Sequence, residues 1–395
     1  MNRFLTVVGN KVVNGLGEEI ILRGVNLGGW LIQESWMCPV SGEDRKWANL
    51  DTLNVLEKRF TKEEVQEIFD IYQDHWITET DIKNIFEMGC NALRVPFWYR
   101  NFMKDEEGTW IHENLDENPG FKRLDWIIQM AEKYGMYVIF DLHGCPGGQS
   151  MDHCCGTLAQ NRLFTSAVCQ EAMKKLWVAI ANRYKYTSTV AAYDIMNEPQ
   201  NNTGYEGEYS YNPWKQESWN MTNQIYDSMI KAIRETGDNH IITVEGIWRV
   251  SNLPDPGEMG WTNMMYQTHL YDDDQGFKLW VEDMAATMSK YGVAGYIGEF
   301  QNLNGIQMCE ENNISWSTWS YKGTNNDIGT FFCYFGNTPR VDVEKDSLDV
   351  IKLKWGEKIE TKNFAEKSKV IEYIKYSALL NSDTTRKCGK NSCCN

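Results

Sequence analysis

Apolar residues along the chain fall into short runs separated by longer amphipathic stretches. Eight runs have the length and composition of buried strands: Glu19–Val25, Ala92–Val95, Met136–Leu142, Val190–Met196, His240–Val244, Met264–Thr268, Val293–Ile297 and Ile314–Thr318. Helical periodicity marks five further stretches: Thr78–Met88, Phe121–Tyr134, Ala167–Tyr184, Trp214–Glu235 and Gly276–Tyr291. The alternation favours parallel strands joined by right-handed crossovers. Pro96 is expected to end the second strand, because proline lacks the N–H that a strand ladder needs.

The number and spacing of these units indicate the architecture. Eight strand–helix units within about 320 residues suit a closed (β/α)8 barrel better than an open sheet. We therefore predict one α/β domain over residues 1–380, a TIM barrel with enlarged loops after its strands. Phe364–Leu380 is predicted to be a helical appendage outside the barrel, and residues 381–395 a flexible tail.

The charge and the apolar runs exclude some partners. The chain has 55 acidic and 39 basic residues, a formal net charge of −16. Such a surface repels phosphate backbones, so no nucleic-acid partner is expected. No run approaches the 18 apolar residues of a membrane span, so no membrane partner is expected either. The first apolar stretch is interrupted at Gly9 and Lys11 and is too short for a signal peptide. This predicts a cytoplasmic location if Met1 is the natural start, and secretion if the natural chain begins earlier.

The cysteines predict free thiols. There are eleven, an odd and scattered set that suits a reducing compartment better than a disulfide framework. Neither the adjacent Cys154 and Cys155 nor the tail residues Cys388, Cys393 and Cys394 form a convincing zinc motif. No metal site is predicted.

Polar and aromatic side chains follow most of the predicted strands. Because the carboxyl ends of barrel strands form the active face of this fold, residues at those ends are candidates for a shared site. They are Arg94, His143, Asn197, Glu198, His269, Tyr271, Glu299 and Trp319. Any one of them has a structural explanation, but their joint occurrence favours a functional site.

Two of these residues are carboxylates on well-separated strands. Glu198 and Glu299 can face each other across one cleft, the arrangement that hydrolyses glycosidic bonds with one neutral acid and one ionised group. Arg94 and Tyr271 are placed to stabilise the ionised carboxylate, and Asn197 offers an amide to a sugar 2-hydroxyl. The indole of Trp319 offers a flat apolar face to a sugar ring. The two carboxylates supply the proton transfers, so neither a metal nor an organic cofactor is expected.

Seven segments carry a resemblance to a known family. They are Arg23–Trp30 (RGVNLGGW), Leu93–Phe97 (LRVPF), Asp141–Gly147 (DLHGCPG), Asp194–Pro199 (DIMNEP), His269–Tyr271 (HLY), Ile297–Phe300 (IGEF) and Ile314–Trp319 (ISWSTW). In this order they resemble glycoside hydrolase family 5, and RGVNLGGWL with DLHGxPGxQ looks most like its exo-β-1,3-glucanase branch.

The resemblance implies roles residue by residue. Family 5 enzymes are retaining (β/α)8 barrels, in which the glutamate of the NEP motif is the acid/base and the seventh-strand glutamate is the nucleophile. Glu198 and Glu299 match these positions. The supporting positions of the family match Arg94, His143, Asn197, His269, Tyr271 and Trp319. In the exo-glucanase branch a glutamate after GGWL binds the terminal sugar, and Glu34 occupies that place.

The chain departs from that branch at three places. Ser35 stands where the branch usually has proline, and Thr268 where a second histidine often precedes the H-x-Y pair. The loop Gln200–Pro213 matches nothing in the branch. The chain is therefore expected to be an exo-acting β-glucosidase or exo-β-glucanase with a carbohydrate substrate. An endo-β-1,4-glucanase, a β-mannosidase, a hydrolase of glucosides with apolar aglycones and a non-catalytic carbohydrate-binding barrel stay open as alternatives, as does the oligomeric state.

Overall fold

A computed structural model describes residues 4–41, 47–201, 216–246, 249–324 and 332–376. Most of the Gln200–Pro213 loop and the whole predicted tail with Cys388, Cys393 and Cys394 lie outside the described residues.

The strands of the described residues are numbered in chain order. They are β1 (Thr6–Val8), β2 (Lys11–Val13), β3 (Arg23–Asn26), β4 (Val40–Ser41), β5 (Ala92–Trp98), β6 (Tyr137–Gly144), β7 (Val190–Asp194), β8 (Ile241–Glu245), β9 (Met264–Leu270), β10 (Ala294–Phe300), β11 (Ser315–Thr318), β12 (Lys322–Thr324), β13 (Tyr334–Gly336), β14 (Val341–Asp342) and β15 (Ala365–Glu366).

The α-helices are numbered in the same way. They are α1 (Asn49–Arg59), α2 (Lys62–Trp76), α3 (Glu79–Glu87), α4 (Pro119–Tyr134), α5 (Ala167–Tyr184), α6 (Gln216–Glu235), α7 (Pro256–Met259), α8 (Asp274–Tyr291), α9 (Leu303–Glu311) and α10 (Leu348–Trp355). Short 3-10 turns occupy Tyr99–Asn101, His153–Cys155, Val250–Asn252, Glu357–Ile359 and Thr361–Asn363. No helix in these ranges combines the length and the apolar character needed to cross a membrane.

Eight parallel strands close into a barrel in the order β3–β5–β6–β7–β8–β9–β10–β11, which confirms the predicted TIM barrel. The inside of the barrel is packed by small, aliphatic and aromatic side chains such as Ala192, Met265 and Tyr296. The β1–β2 hairpin contributes Val12 to this same cluster and so closes the amino-terminal end. The larger apolar core lies between the barrel and its helices. The carboxyl ends of the strands are therefore where polar side chains can form a site.

The second barrel strand does not end at Pro96, as the sequence had suggested. β5 continues to Trp98, and Pro96 pairs in register with Asp141 of β6. The Arg94 carbonyl accepts from the Leu27 N–H just beyond β3. Alternate residues of a strand face the same neighbour, so the nitrogen of Pro96 is also directed toward β3, which has already ended. The missing N–H therefore removes no bond of the ladder.

Beyond the barrel, the predicted appendage is only partly helical. Ala365–Glu366 forms β15, which pairs antiparallel with β13, and a helix occupies residues 368–376. The prediction of a helix from Phe364 was therefore wrong at its start, because Phe335 and Tyr334 offer this segment a strand partner.

Candidate active site

A buried arginine holds the floor of the site. The Arg94 side chain is fully buried, and its guanidinium contacts three carboxylates: Asp141 at 3.1 Å, Asp194 at 2.8 Å and Glu299 at 2.7 Å. It also donates to Asn26 Oδ1 at 2.8 Å. Such short charge-assisted contacts fix both partners in direction as well as distance. Arg94 therefore sets the position of the strand-end carboxylates around it.

Glu299 lies between two donors. Arg94 Nη1 donates to its Oε1 at 2.7 Å, and the Tyr271 hydroxyl donates to its Oε2 at 2.7 Å. The pairing of β10 with β9 shifts register between Ile297 and Glu299, a local irregularity that redirects the side chain. A Cβ on Gly298 would lie 2.1 Å from Gln267 Oε1, so this turn of the strand requires glycine. Both oxygens of Glu299 thus accept hydrogen bonds, which suits an ionised carboxylate.

Glu198 has a different environment. It follows β7 with a left-handed φ of 39°, and its Oε1 lies 2.9 Å from His269 Nδ1. Burial raises the pKa of Glu198 above its ordinary value, although His143 and Arg94 oppose the shift. Burial also lowers the pKa of His269 to about 3, so this ring is neutral at working pH. The Glu198 carboxyl group therefore faces a neutral partner, which favours its protonated form.

The two carboxyl groups are close together. One oxygen of Glu198, one of Glu299 and a ring nitrogen of His269 all lie within 4.8 Å of one another. Three such atoms could hold a metal ion, but Glu299 already accepts from the Arg94 cation and His269 is bonded to Glu198. A second cation would be repelled by the guanidinium, so the donor set fits proton chemistry better than metal binding.

His143 and Trp319 form one wall. Their rings stack with centroids 5.3 Å apart and planes 11° from parallel. His143 Nδ1 lies 2.8 Å from Asp141 Oδ2. Burial alone would lower the pKa of His143, but the Asp141 carboxylate outweighs it and raises the pKa to about 9. The wall consequently presents a cationic ring beside a flat indole.

Asn197 is held in one orientation. Arg94 Nη2 donates to its Oδ1 at 2.9 Å, and because a guanidinium only donates, the amide NH2 must face away from Arg94. Gln149 Nε2 donates to the backbone carbonyls of Asn197 and His143 and so joins the ends of two strands. The amide of Asn197 is thereby fixed as a donor at the edge of the site.

Glu34 lies at the edge of the same cavity. It is 4% exposed, and Trp36 Nε1 donates to its Oε2 at 2.8 Å. Burial raises the pKa of Glu34, with opposing contributions from His143 and His153. The cavity measures about 210 Å³. Its lining comprises Glu34, Trp36, His143, Asp152, His153, Cys154, Asn197, Glu198, Tyr271, Glu299, Gln301 and Trp319.

The family assignment follows from the sequence match. The family model for cellulases, glycosyl hydrolase family 5, matches residues 48–337. This range contains the barrel strands from β5 to β11 and both glutamates of the cavity. The chain belongs to glycoside hydrolase family 5. It is therefore an O-glycosyl hydrolase that acts on carbohydrate.

Relatives of this family 5 hydrolase are distant. A beta-xylosidase of Phanerodontia chrysosporium is 25% identical, over 82% of this chain and 71% of that enzyme. A glucan 1,3-beta-glucosidase of Kluyveromyces lactis is 31% identical, but the alignment covers only 46% of this chain and 43% of that enzyme. The crystal structure of AoRut covers 90% of this chain and 97% of its own, with 17% identity and a TM-score of 0.63, and supports the fold alone.

The structure brings the nine predicted site residues of this hydrolase to one end of the barrel. Seven line the cavity, whereas Arg94 and His269 lie beneath it and contact its glutamates. Sequence reasoning gave no role to Asp141 and Asp194, although they are the first residues of the family segments DLHGCPG and DIMNEP. It missed Glu245 altogether, a buried carboxyl group at the end of β8. The signal was available, because Glu245 directly follows a buried apolar run as the other strand-end residues do.

A larger groove lies elsewhere on the family 5 barrel. It encloses about 900 Å³ beside α1, α2 and the loop after β5, with Trp30, Phe69 and Met103 among its walls. None of the predicted site residues lines it. The chemistry of the enzyme therefore belongs to the smaller cavity.

Proposed function

We propose that this enzyme is a retaining hydrolase of β-glucosides, with Glu299 as the nucleophile and Glu198 as the acid/base. The contrast between the two carboxyl groups is the observation that carries the proposal. Glu299 accepts from Arg94 and Tyr271, whereas Glu198 is buried beside the neutral ring of His269. Different environments of this kind separate an ionised from a protonated carboxyl group. One oxygen of Glu198 and one of Glu299 lie within 4.8 Å of each other. This suits the carboxyl separation of roughly 5–5.5 Å in retaining enzymes better than the roughly 6.5–9.5 Å in inverting ones.

The reaction would proceed in two displacements. Glu299 attacks the anomeric carbon while Glu198 gives its proton to the departing oxygen, and a covalent glycosyl-enzyme forms. Glu198, now ionised, takes a proton from water, which attacks the same carbon and releases Glu299. The NH2 group of Asn197 is placed to donate to the sugar 2-hydroxyl, a contact that strengthens in the transition state. The indole of Trp319 offers a flat apolar face on which the sugar ring can pack.

Exo action is supported by the size of the cavity. About 210 Å³ is below the roughly 300–1,000 Å³ of common small-molecule pockets, and suits one sugar ring better than a stretch of polymer. Glu34, buried at its edge, can accept from the hydroxyls of a terminal sugar. The matched Kluyveromyces lactis protein is named a glucan 1,3-beta-glucosidase. These observations favour removal of single glucosyl units from a chain end.

The catalytic assignment is tested by two variants. Glu299→Gln should lose nearly all activity on an aryl β-glucoside, because the amide cannot form the covalent intermediate. Glu198→Ala should lose most activity on substrates with poor leaving groups and recover part of it with added azide, which replaces water as the attacking group. The first sugar product, followed by proton NMR, should be the β-anomer. Full activity of Glu299→Gln, or an α-anomer as first product, would refute the assignment.

Substrate choice needs a separate panel. Aryl β-glucosides, β-mannosides and β-xylosides should be compared with laminari- and cello-oligosaccharides, with product analysis at early times. The β-xyloside is included because a relative matched over 82% of this chain is named a beta-xylosidase. Release of one glucose at a time supports the proposal, whereas mixed oligomers refute exo action.

A further inference from the structure

The left-handed backbone of Glu198 requires support from a neighbouring strand. A φ of 39° at a non-glycine residue is strained and persists only where the surroundings hold it. The N–H of Glu198 donates to Oε2 of Glu245 at 2.7 Å. This bond joins the loop after β7 to the carboxyl end of β8. The side chain of Glu245 therefore holds the residue that carries the proposed acid/base.

Glu245 itself is firmly placed. It pairs with Gln267 of β9, and the Tyr226 hydroxyl bonds its backbone N–H and C=O at 3.2 and 3.1 Å. β7 ends at Asp194, opposite Thr243, so Glu245 extends two residues past its neighbour. Its carboxyl group can thus reach over the end of β7 to Glu198. The position follows from the register of the barrel and does not depend on a flexible loop.

The second oxygen of Glu245 faces the partner of Glu198. Glu245 Oε1 lies 3.6 Å from His269 Nδ1, the same nitrogen that bonds Glu198 at 2.9 Å. The titratable groups that face Glu245 include Glu198, Asp194, Glu299, the Tyr226 hydroxyl and this neutral ring. Burial and these carboxylates keep the pKa of Glu245 well above its ordinary value. Burial therefore favours the uncharged form of Glu245.

We propose that Glu245 is a positioning residue for the acid/base: its carboxyl group anchors the backbone of Glu198 and, with it, the direction in which Glu198 gives its proton. The proposal rests on the assignment of Glu198 as acid/base. It predicts that shape and hydrogen bonding matter at Glu245, and that negative charge does not.

Two substitutions separate these properties. Glu245→Gln keeps an oxygen that can accept from the Glu198 N–H and adds no charge, so it should retain the wild-type kcat and pH profile. Glu245→Leu removes the acceptor. General acid catalysis contributes about 100- to 10,000-fold, and misplacing the acid should forfeit at least about tenfold of it in kcat. The loss should appear with a phenyl β-glucoside and be small with a dinitrophenyl β-glucoside, whose leaving group needs no proton.

The leaving-group difference distinguishes positioning from general damage. Asp238→Asn is the matched control, since Asp238 is a buried carboxyl group at the opposite end of β8 and bonds Tyr193 and His240. Any effect of Asp238→Asn on kcat should be the same with both leaving groups. Thermal unfolding of every variant shows whether it is folded, and Glu245→Gln preserves the test if Glu245→Leu does not fold.

The outcomes separate this proposal from the assignment beneath it. If Glu198→Ala shows no dependence on the leaving group, the acid/base assignment fails and this proposal fails with it. If Glu198→Ala does show that dependence, two results would overturn the role of Glu245 alone. One is an equal effect of Glu245→Leu on both substrates, and the other is a Glu245→Gln variant with the same selective loss as the leucine variant.

Discussion

His143 should be a buried cation whose contribution to stability disappears in alkaline solution. Its side chain is 2% exposed, with Nδ1 2.8 Å from Asp141 Oδ2 and the ring stacked on Trp319. Burial opposes the charged ring, but the Asp141 carboxylate raises the pKa from 6.5 to about 9. A folded-state pKa above the unfolded value means that folding favours the protonated ring. The stabilisation is therefore complete below pH 6.5 and is lost as pH rises through about 9.

The size of the effect follows from the two pKa values. The interval from 6.5 to about 9 corresponds to about 3 kcal/mol in the free energy of unfolding. This side chain is almost fully removed from water, so little of that energy is lost to solvent screening. Glutamine at this position can still donate to Asp141 but does not titrate. The difference in unfolding free energy between the wild type and His143→Gln should consequently fall by about 3 kcal/mol between pH 6.5 and 9.

Two measurements check this prediction. Urea unfolding of both proteins across this pH range gives the difference, in which the other histidines cancel. Histidine-ring NMR, assigned by the signal missing from His143→Gln, gives the pKa directly. A flat difference between pH 6.5 and 9, or a His143 signal that titrates at or below 6.5, would show that the contact with Asp141 does not stabilise the cation as argued.

Three further predictions follow from the same contacts. Arg94→Met leaves Asp141, Asp194 and Glu299 without their shared cation and should cost about 3–5 kcal/mol in urea unfolding; a loss below about 1 kcal/mol would contradict this. Tyr271→Phe removes a hydrogen bond to a charged group, worth about 1.5–3 kcal/mol, so kcat/KM should fall about ten- to hundredfold. Chelation with EDTA should leave hydrolysis unchanged, since the proposed mechanism routes no step through a metal, and a loss reversed by added metal would refute that.

The barrel could be predicted because its strands are buried on both faces. Continuous apolar runs mark such strands, and every predicted run overlaps one strand of the closed barrel. The ends of the strands could be predicted less well than their positions along the chain. The lack of an N–H in Pro96 is a local property and predicts a strand end. Whether a neighbouring strand lies opposite that nitrogen depends on where β3 ends. No pattern within one strand contains that information.

Helices α1 and α2 were not predicted, although their signals are present. Thr61 and Glu64 form a capping box at the start of α2. Val65, Ile68 and Trp76 are buried on one face of this helix. These residues lie between the first two barrel strands, where the expected pattern was one helix, α3, and the two extra helices were absorbed into an enlarged loop. The number of helices in a βα connection is set by what covers the outside of the barrel, and the strand pattern does not report it.

The candidate site could be predicted as far as each residue ended a strand or belonged to a motif. Glu245 directly follows the predicted strand His240–Val244, but no family segment includes it, so nothing singled it out. Its importance arises from a bond to Glu198, 47 residues earlier in the chain. Only the β7–β8 register brings the two together. Contacts that depend on the register between two strands cannot be predicted from a single sequence.

The ionisation of the whole site follows from a balance of charge. Arg94 and His143 are the two cations at the strand ends, and six buried carboxyl groups lie around them: Asp141, Asp194, Glu198, Glu245, Glu299 and Glu34. Six ionised groups beside two cations would leave four negative charges uncompensated, which is energetically costly. Burial raises the pKa of four of the carboxyl groups: Asp194 to about 7, and Glu34, Glu198 and Glu245 above their ordinary values. Asp141 and Glu299, like Asp194, each bond a cation directly. The raised pKa of Glu198 suits its proposed role as the acid, and the contact of Glu299 with Arg94 suits its proposed role as the nucleophile.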